Sequence, residues 1–492
     1  MWSTPYFKYR ELAKQMLKHA KSSPLNLEWN VETTLPFITG AHLEQMSLLR
    51  EALSHSSRFA SLKICAVLPD PSRTAFGLLA SRTLSRTLVH SLSKMTQPMP
   101  SLRSIAIYCS PSWGVISLPS DFLGGSAPLL TRLDFVECPV PWRSPIMRNL
   151  TSLSLTLHSQ AMTYTLRDIL DGLKGMPRLE ELHLRHCLPS STSPTQTSLG
   201  SRAELPRLQD INITSSSLHT CCELLEGISF PKTTSIFIGC LESPTVTYIA
   251  DDHYDALFSY FAGLLSEAHC SDDGHPRAIK SLQLRFGGGK TEGRLSLKAW
   301  NVSPNAECIP NTTAITCPPN LHLELDYQDQ WRMVRNVKAM LGSLPQLRTF
   351  MVDIQQDLGA GVLVSCLEKS NLLESVCLRQ KAPFEKFIEA LGDGLRAANS
   401  TVFLPALTSL QLYEVDFGGG SSRRNLMQPL VEMLKLREEG GVPIEKVWLK
   451  RVENLNLNDL EKQVHGVVGS EWVGGRDRLR HSAQHLSKGT VV

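Results

Sequence analysis

The side chains whose types and spacing could carry chemistry fall in a few short clusters. Gly287, Gly288, Gly289, Lys290 and Thr291 directly follow the strand-like run Ser281 to Phe286, and strand, glycine-rich loop, lysine and hydroxyl is the order of a phosphate-binding loop. The spacing excludes it, because GxxxxGK[ST] ending at Lys290 and Thr291 requires glycine where the chain has Leu284. His183, His186 and Cys187 carry metal-ligand atoms, but three neighbouring residues with no distant Cys or His partner make a poor metal set. Asp251, Asp252, His253 and Asp255 lack the glycine and distal glutamate of a calcium loop and read as a solvated helix start. No GxSxG phrase surrounds any serine, so catalytic, cofactor-binding and metal residues are all expected to be absent.

The elements that must position these clusters come from an internal repeat: an apolar residue, two others, an apolar residue, one other, and a third apolar residue. Clear copies are Leu102, Ile105, Ile107; Leu130, Leu133, Phe135; Leu150, Leu153, Leu155; Leu179, Leu182, Leu184; and Leu208, Ile211, Ile213. Less regular ones follow at Ile236 and Ile238, Leu282 and Leu284, Leu321 to Leu325, Leu347 to Val352, Leu373 to Leu378, Leu407 to Leu412, and Val447 to Leu449. The early copies start 20 to 29 residues apart, the spacing of leucine-rich repeats. The final L-x-L predicts a short strand with alternate residues pointing inward. A proline just before most copies (Pro100, Pro128, Pro177, Pro206, Pro345, Pro405) stops the preceding helix and sets an extended entry. Between strands, Thr165 to Leu173 and Cys221 to Gly227 have helical apolar spacing.

The expected fold is therefore α/β: a leucine-rich-repeat solenoid or horseshoe, with a parallel sheet on the concave side and irregular helices on the convex side. Cys138 and Cys187, three residues past their strand leucines, are expected to be buried and structural. Expected organisation is an N-terminal helical cap over residues 1–28, with Leu12, Met16 and Leu17 on one stripe, and a solenoid over 29–454 with an inserted loop at 287–319. A C-terminal helix and disordered tail follow over 455–492.

Composition fits a folded chain of ordinary kind. Of 492 residues 42% are hydrophobic, 20% are charged, and the formal net charge is +3, too balanced to imply nucleic acid or a membrane surface. Apolar runs are everywhere too short for a membrane span, and Met1 to Ala20 lacks the apolar core of a signal peptide, so an intracellular chain, cytoplasmic or nuclear, is expected. Twelve dilute cysteines then read as thiols, and the sequons at Asn149, Asn212, Asn301, Asn311 and Asn399 as chance matches. Ser193, before Pro194, is an exposed phosphorylation candidate in a Ser/Thr-rich loop.

Several ordered segments resemble the leucine-rich-repeat part of large fungal, basidiomycete-type F-box-like proteins. They are Phe7 to Lys21 with Ser23 to Leu27 and Trp29, then Leu118 to Leu133, Cys138 to Trp142, Asn149 to Leu155, Met176 to Leu182, and Leu205 to Leu208. The resemblance implies a substrate-binding repeat array of a cullin ubiquitin ligase, whose F-box docks a Skp-type adaptor. The F-box itself is not evident: Thr34 to Phe37 holds a Leu-Pro pair but continues into repeat-like sequence. An adaptor is thus expected only if further N-terminal sequence supplies an F-box, and a stand-alone repeat scaffold is the alternative.

In each L-x-L strand the middle residue points away from the core, so those positions are where a protein partner is expected to touch. They are Asp134, His183, Asn212, Phe237, Gln283, Met351, Gln411 and Trp448, together with Ala106, Ser154 and Cys377. The mixture has no single charge sign, which suits protein rather than nucleic acid.

Overall fold

Leu27 and Trp29, Leu62 and Ile64, Ile105 and Ile107, and the copies after them do what their spacing demands: they stack in register on neighbouring strands of the computed structural model. The structure describes residues 10–21, 23–30, 40–53, 56–66, 85–111, 115–158, 164–189, 201–215, 217–240, 252–266, 278–288, 293–302, 318–354, 361–379, 384–396, 402–415, 417, 426–455, 460 and 467–471. The chain is α/β with largely parallel sheet, and it divides into two compact units, Met1–Ile249 and Ala250–Val492.

Unit 1 contains β1 (Leu25–Asn30), β2 (Phe59–Ala66), β3 (Ser104–Cys109), β4 (Arg132–Val136), β5 (Ser152–Thr156) and β6 (Glu181–Arg185). The two-residue strands β7 (Ala203–Glu204) and β9 (Ile228–Ser229) pair with each other, while β8 (Asp210–Ser215) and β10 (Ser235–Cys240) extend the main ladder. Its order is β1-β2-β3-β4-β5-β6-β8-β10, every neighbour parallel. The register is unbroken at the repeat leucines: Ile105 faces Leu133, then Leu153, Leu182, Ile211 and Ile236. All are fully or almost fully buried, each worth about 2–5 kcal/mol against alanine.

Two of these strands lie outside the sequence reading. Pro24 introduces β1, inside the span read as cap, and Phe59, Leu62, Ile64 is a regular repeat copy with phenylalanine in first place. The Arg10–His19 helix buries Ala13, Met16, Leu17 and Ala20, while Leu12 is exposed, so the apolar stripe is shifted by one residue from the expected one. The Leu166–Lys174 helix starts where expected, on a reciprocal capping box: Asp168 N donates to Thr165 Oγ1 at 3.3 Å and Thr165 N to Asp168 Oδ2 at 3.0 Å.

Unit 2 contains β11 (Ser281–Gly288), β12 (Gly293–Trp300), β13 (Leu321–Tyr327), β14 (Thr349–Ile354), β15 (Ser375–Arg379), β16 (Ser409–Tyr413), β17 (Lys446–Lys450) and β18 (Val467–Glu471). The order is β13-β12-β11-β14-β15-β16-β17-β18, antiparallel through β12 and parallel from β11 onward. Helices Asp252–Ser266, Gln330–Leu341, Gly361–Leu367, Phe384–Arg396 and Met427–Glu439 pack successively beside one another as a second layer.

Here the span 287–319 departs from an inserted loop. Gly287 and Gly288 end β11, and 293–300 is a strand whose Leu295, Leu297 and Ala299 alternate inward with a two-residue period. Gly289 to Thr291 and residues 303–317 lie outside the described residues. Residues 467–471 form a strand on β17, past most of the span read as a C-terminal helix; Ser193, the Thr34 to Phe37 segment, most of that helix span and the tail from 472 lie outside the described residues.

Strand exits share one device. Glu137, His186, Glu414 and Arg451 directly follow β4, β6, β16 and β17, and all have positive φ, between 51° and 59°. The left-handed turn costs a non-glycine residue about 1–2 kcal/mol. It brings the residue's N–H to the carbonyl of the next repeat (Glu137 to Thr156 at 2.9 Å, Glu414 to Lys450 at 3.0 Å) and turns Cys138, Cys187, Val415 and Val452 into the core.

Candidate functional site

With one face of unit 1's sheet sealed by leucine and isoleucine, the middle strand residues form a row on the other: Glu28, Lys63, Ala106, Asp134, Ser154, His183, Asn212 and Phe237. Each is exposed or half-buried. Hydrogen bonds between neighbouring strands run within and beside the row. Lys63 Nζ lies 2.7 Å from Glu28 Oε1, Tyr108 OH donates to Asp134 Oδ2 at 2.5 Å, Ser152 Oγ donates to Glu181 Oε2 at 2.7 Å, and His183 Nε2 lies 2.7 Å from Asp210 Oδ2. Burial, then the Asp134 carboxylate, pushes the Tyr108 hydroxyl well above its usual range and keeps it a donor. Asn212 Oδ1 is buried without a hydrogen-bond partner, and the Phe237 ring lies over Gly239, where an added Cβ would come within 3.2 Å of it. The expected contact residues Asp134, His183, Asn212 and Phe237 are thus brought into one continuous row.

Unit 2 treats the equivalent positions differently. Gln283 and Trp448 remain half-buried, but Met351 is 8% exposed and Gln411 4% exposed, so neither offers the partner-contact surface expected of it. Met351, Cys377 and Trp300 form one apolar cluster, and burial pushes the Cys377 thiol up to about 12. Gln411 Nε2 and Trp448 Nε1 are buried without hydrogen-bond partners.

At the strand ends of unit 2 these faces pass into a charged rim. Asp353 Oδ2 lies 3.5 Å from both Arg285 and Arg379, and Glu414 pairs with Arg379 at 3.0 Å and Arg451 at 3.3 Å. Both guanidiniums, Arg379 and Arg451, sit over the Tyr413 ring, 4.9 and 5.6 Å from its centroid. Burial raises the Asp353 pKa ahead of the opposing arginines.

The rim of unit 1 holds Glu137, His158 and His186. The Glu137 side chain is wholly buried; its Oε1 accepts from His158 N at 2.6 Å and lies 2.6 Å from His158 Nδ1, and the His158 and His186 rings have centroids 6.0 Å apart. Burial, then His158 and Arg185, hold the His186 pKa below the usual imidazole value. Sequence reasoning missed this group because its members are 21 and 28 residues apart; only the register joins them.

The remaining motifs resolve structurally. Asp255 receives Arg332 through Nε at 3.2 Å and Nη2 at 2.6 Å, so it anchors one helix to another. Cys187 Sγ donates to the Leu155 and Arg185 carbonyls at 3.1 Å, and Cys138 Sγ lies 3.8 Å from Cys109 Sγ; both cysteines are fully buried. Among the described residues no three or more His, Cys, Asp or Glu side chains converge as a metal set, and no helix is long and apolar enough to cross a membrane. Neither a protein-family model nor a curated protein sequence matches this chain.

Proposed function

We propose that both units are leucine-rich-repeat solenoid segments and that the protein is a non-enzymatic recognition module acting inside the cell, holding a protein partner on the open strand face of unit 1. The observation that carries this reading is the contrast within that sheet. Eight in-register strands seal one face completely, while the other presents a continuous half-exposed row of mixed polar side chains ending in Phe237. A surface of that kind suits protein recognition, where a few desolvated side chains supply most of the affinity. The sequence resemblance extends the reading to the substrate-binding part of a cullin ligase receptor, with a Skp-type adaptor as the second partner.

The test places a photo-crosslinking side chain at position 154 and, separately, at the exposed position 331 outside the row. Crosslinked partners from position 154, lost when Asn212→Arg and Phe237→Ala are added, support recognition on this face. Equal crosslinking from both positions, or none affected by the row variants, overturns it. Blotting the same eluates for the Skp-type adaptor and cullin separates the ligase receptor from the stand-alone scaffold.

A further inference from the structure

His186 lacks a distant ligand partner in the sequence, but the fold supplies one. Strands β5 and β6 pair Thr156 with Arg185, and the ladder continues one step further as Leu157 N donates to Arg185 O at 2.9 Å. His186 then lies opposite Leu157, and His158 follows one residue further on, so that the two rings come together where the strands end, with centroids 6.0 Å apart and planes inclined by 34°. An imidazole nitrogen lies ~1 Å from its ring centre and ~2 Å from a bound metal, so two rings on one tetrahedral ion have centroids ~5 Å apart. The observed 6.0 Å is within about an ångström of that, a distance that a small turn of the two exposed rings closes.

The buried carboxylate beneath the pair is the second, independent observation. Glu137 is 0% exposed, Oε2 has no hydrogen-bond partner, and among the described residues its one side-chain partner is His158 Nδ1. A carboxylate oxygen that accepts from an Nδ1–H leaves Nε2 as the ring's acceptor, on a ring that is 49% exposed. Carboxylate, imidazole, then open nitrogen is the arrangement that orients metal-binding histidines and raises their basicity. His186 is held in place from its own side, at φ 53° with its N–H on the Thr214 carbonyl at 2.6 Å. The exposed Arg185 beside it disfavours a cation. Cys187 faces the core and takes no part.

We infer that His158 and His186 form a two-imidazole site for a borderline-soft divalent ion of the zinc, nickel or copper type, with Glu137 as its positioning residue and water in the other coordination positions. Imidazole selects these ions over magnesium and calcium, which prefer oxygen.

The test is isothermal titration of the full chain with zinc chloride and with nickel chloride, magnesium chloride serving as the control. The expected result is a saturable zinc site weakened at least ~10-fold in His158→Asn and in His186→Asn and absent from the double variant, while His183→Asn retains it. Both histidines are exposed, and circular dichroism melts confirm that the variants stay folded. Glu137→Gln is expected to weaken zinc ~10-fold with one site retained, and to alter the nitrogen hyperfine pattern of bound copper, which a merely structural change would leave alone. No saturable zinc binding, or binding unmoved in the double variant, overturns the site; an unchanged affinity and copper spectrum in Glu137→Gln overturns the positioning role.

Discussion

The sheets of the two units share one rule and part on another. In unit 1 the middle residue of every ladder strand is open while its leucine-face neighbours are buried, although Ser152 in β5 and Gly239 and Cys240 in β10 are buried as well. In unit 2 β13 and β17 keep the alternation, but it fades between them: Phe350, Met351 and Val352 are all buried, and β16 is buried at all five positions. The L-x-L pattern specifies one face of a repeat strand and leaves the other to whatever lies over it. Unit 1 uses that freedom for a polar, hydrogen-bonded row; unit 2 uses it for an apolar cluster with Trp300, Met351 and Cys377. The open row thus runs through all of unit 1's ladder and is interrupted in unit 2 at β14, β15 and β16, where a position-by-position extrapolation along the repeats overstates it.

The sharpest way to break the contrast is to place the same charge at equivalent positions. Met351→Lys puts an unpaired ammonium into the apolar cluster and is expected to destabilise by about 3 kcal/mol or more. Ser154→Lys, at a half-exposed middle position of β5, is expected to change stability by no more than about 0.5 kcal/mol. Equilibrium urea denaturation of the two variants decides it, and similar losses would mean that the two faces are not different environments.

A smaller effect separates two aspartates by the sign of their pH dependence. Asp168 in unit 1 has its pKa lowered below the ordinary 3.8, first by the hydrogen bond from the Thr165 backbone and then by the Thr165 hydroxyl. Its contribution is present above that value and lost as pH falls, so Asp168→Asn should cost stability at neutral pH and little in acid. Removing the other half of the capping box, Thr165→Ala, should cost about 1 kcal/mol. Asp353 in unit 2 has its pKa raised by burial, ahead of the lowering by Arg379 and Arg285. Its favourable contribution is present when protonated and is lost as pH rises from 3.8 through the raised value. Urea midpoints of wild type and both Asn variants from roughly pH 3 to 7 should therefore give difference curves of opposite slope. Parallel curves would show that the unit 2 carboxylate is not held in a drier place than the unit 1 carboxylate.

Much of the architecture was legible because repeat leucines and their prolines are local signals. β2 shows how far that goes: Phe59, Leu62 and Ile64 satisfy the pattern, yet no proline announces them. β12 was hidden by glycine- and proline-rich flanks, although Leu295, Leu297 and Ala299 alternate with Arg294, Ser296 and Lys298 as a strand should. The row on unit 1 was legible for the same reason as its strands, since facing is fixed by a two-residue period. The burial of Met351 and Gln411 was not, because it depends on residues distant in sequence. The Glu137, His158 and His186 group was equally invisible, because strand register, not spacing, brings it together.

The smallest expected effect tests the feature both units share, the left-handed strand exit. In unit 1 this position is held by Glu137, whose buried carboxylate fixes His158, so the conformational cost is offset by a specific contact. In unit 2 Arg451 adopts φ 51° with a side chain 53% exposed, 3.3 Å from Glu414 and over the edge of the Tyr413 environment at 5.6 Å. Arg451→Gly removes about 1–2 kcal/mol of left-handed strain. Against that stand the lost exposed ion pair, about 0–1 kcal/mol, and the lost cation–π contact, about 0.5–1 kcal/mol. Glycine also adds unfolded-state entropy, about 0.5–1 kcal/mol. These offset, and the variant is expected to melt within a few degrees of wild type, about 1 kcal/mol either way, by differential scanning calorimetry. A loss well beyond that would mean that the unit 2 rim is held by its Arg379, Glu414 and Arg451 network as tightly as unit 1 holds His158, and the exits of the two units would then differ less than their faces do.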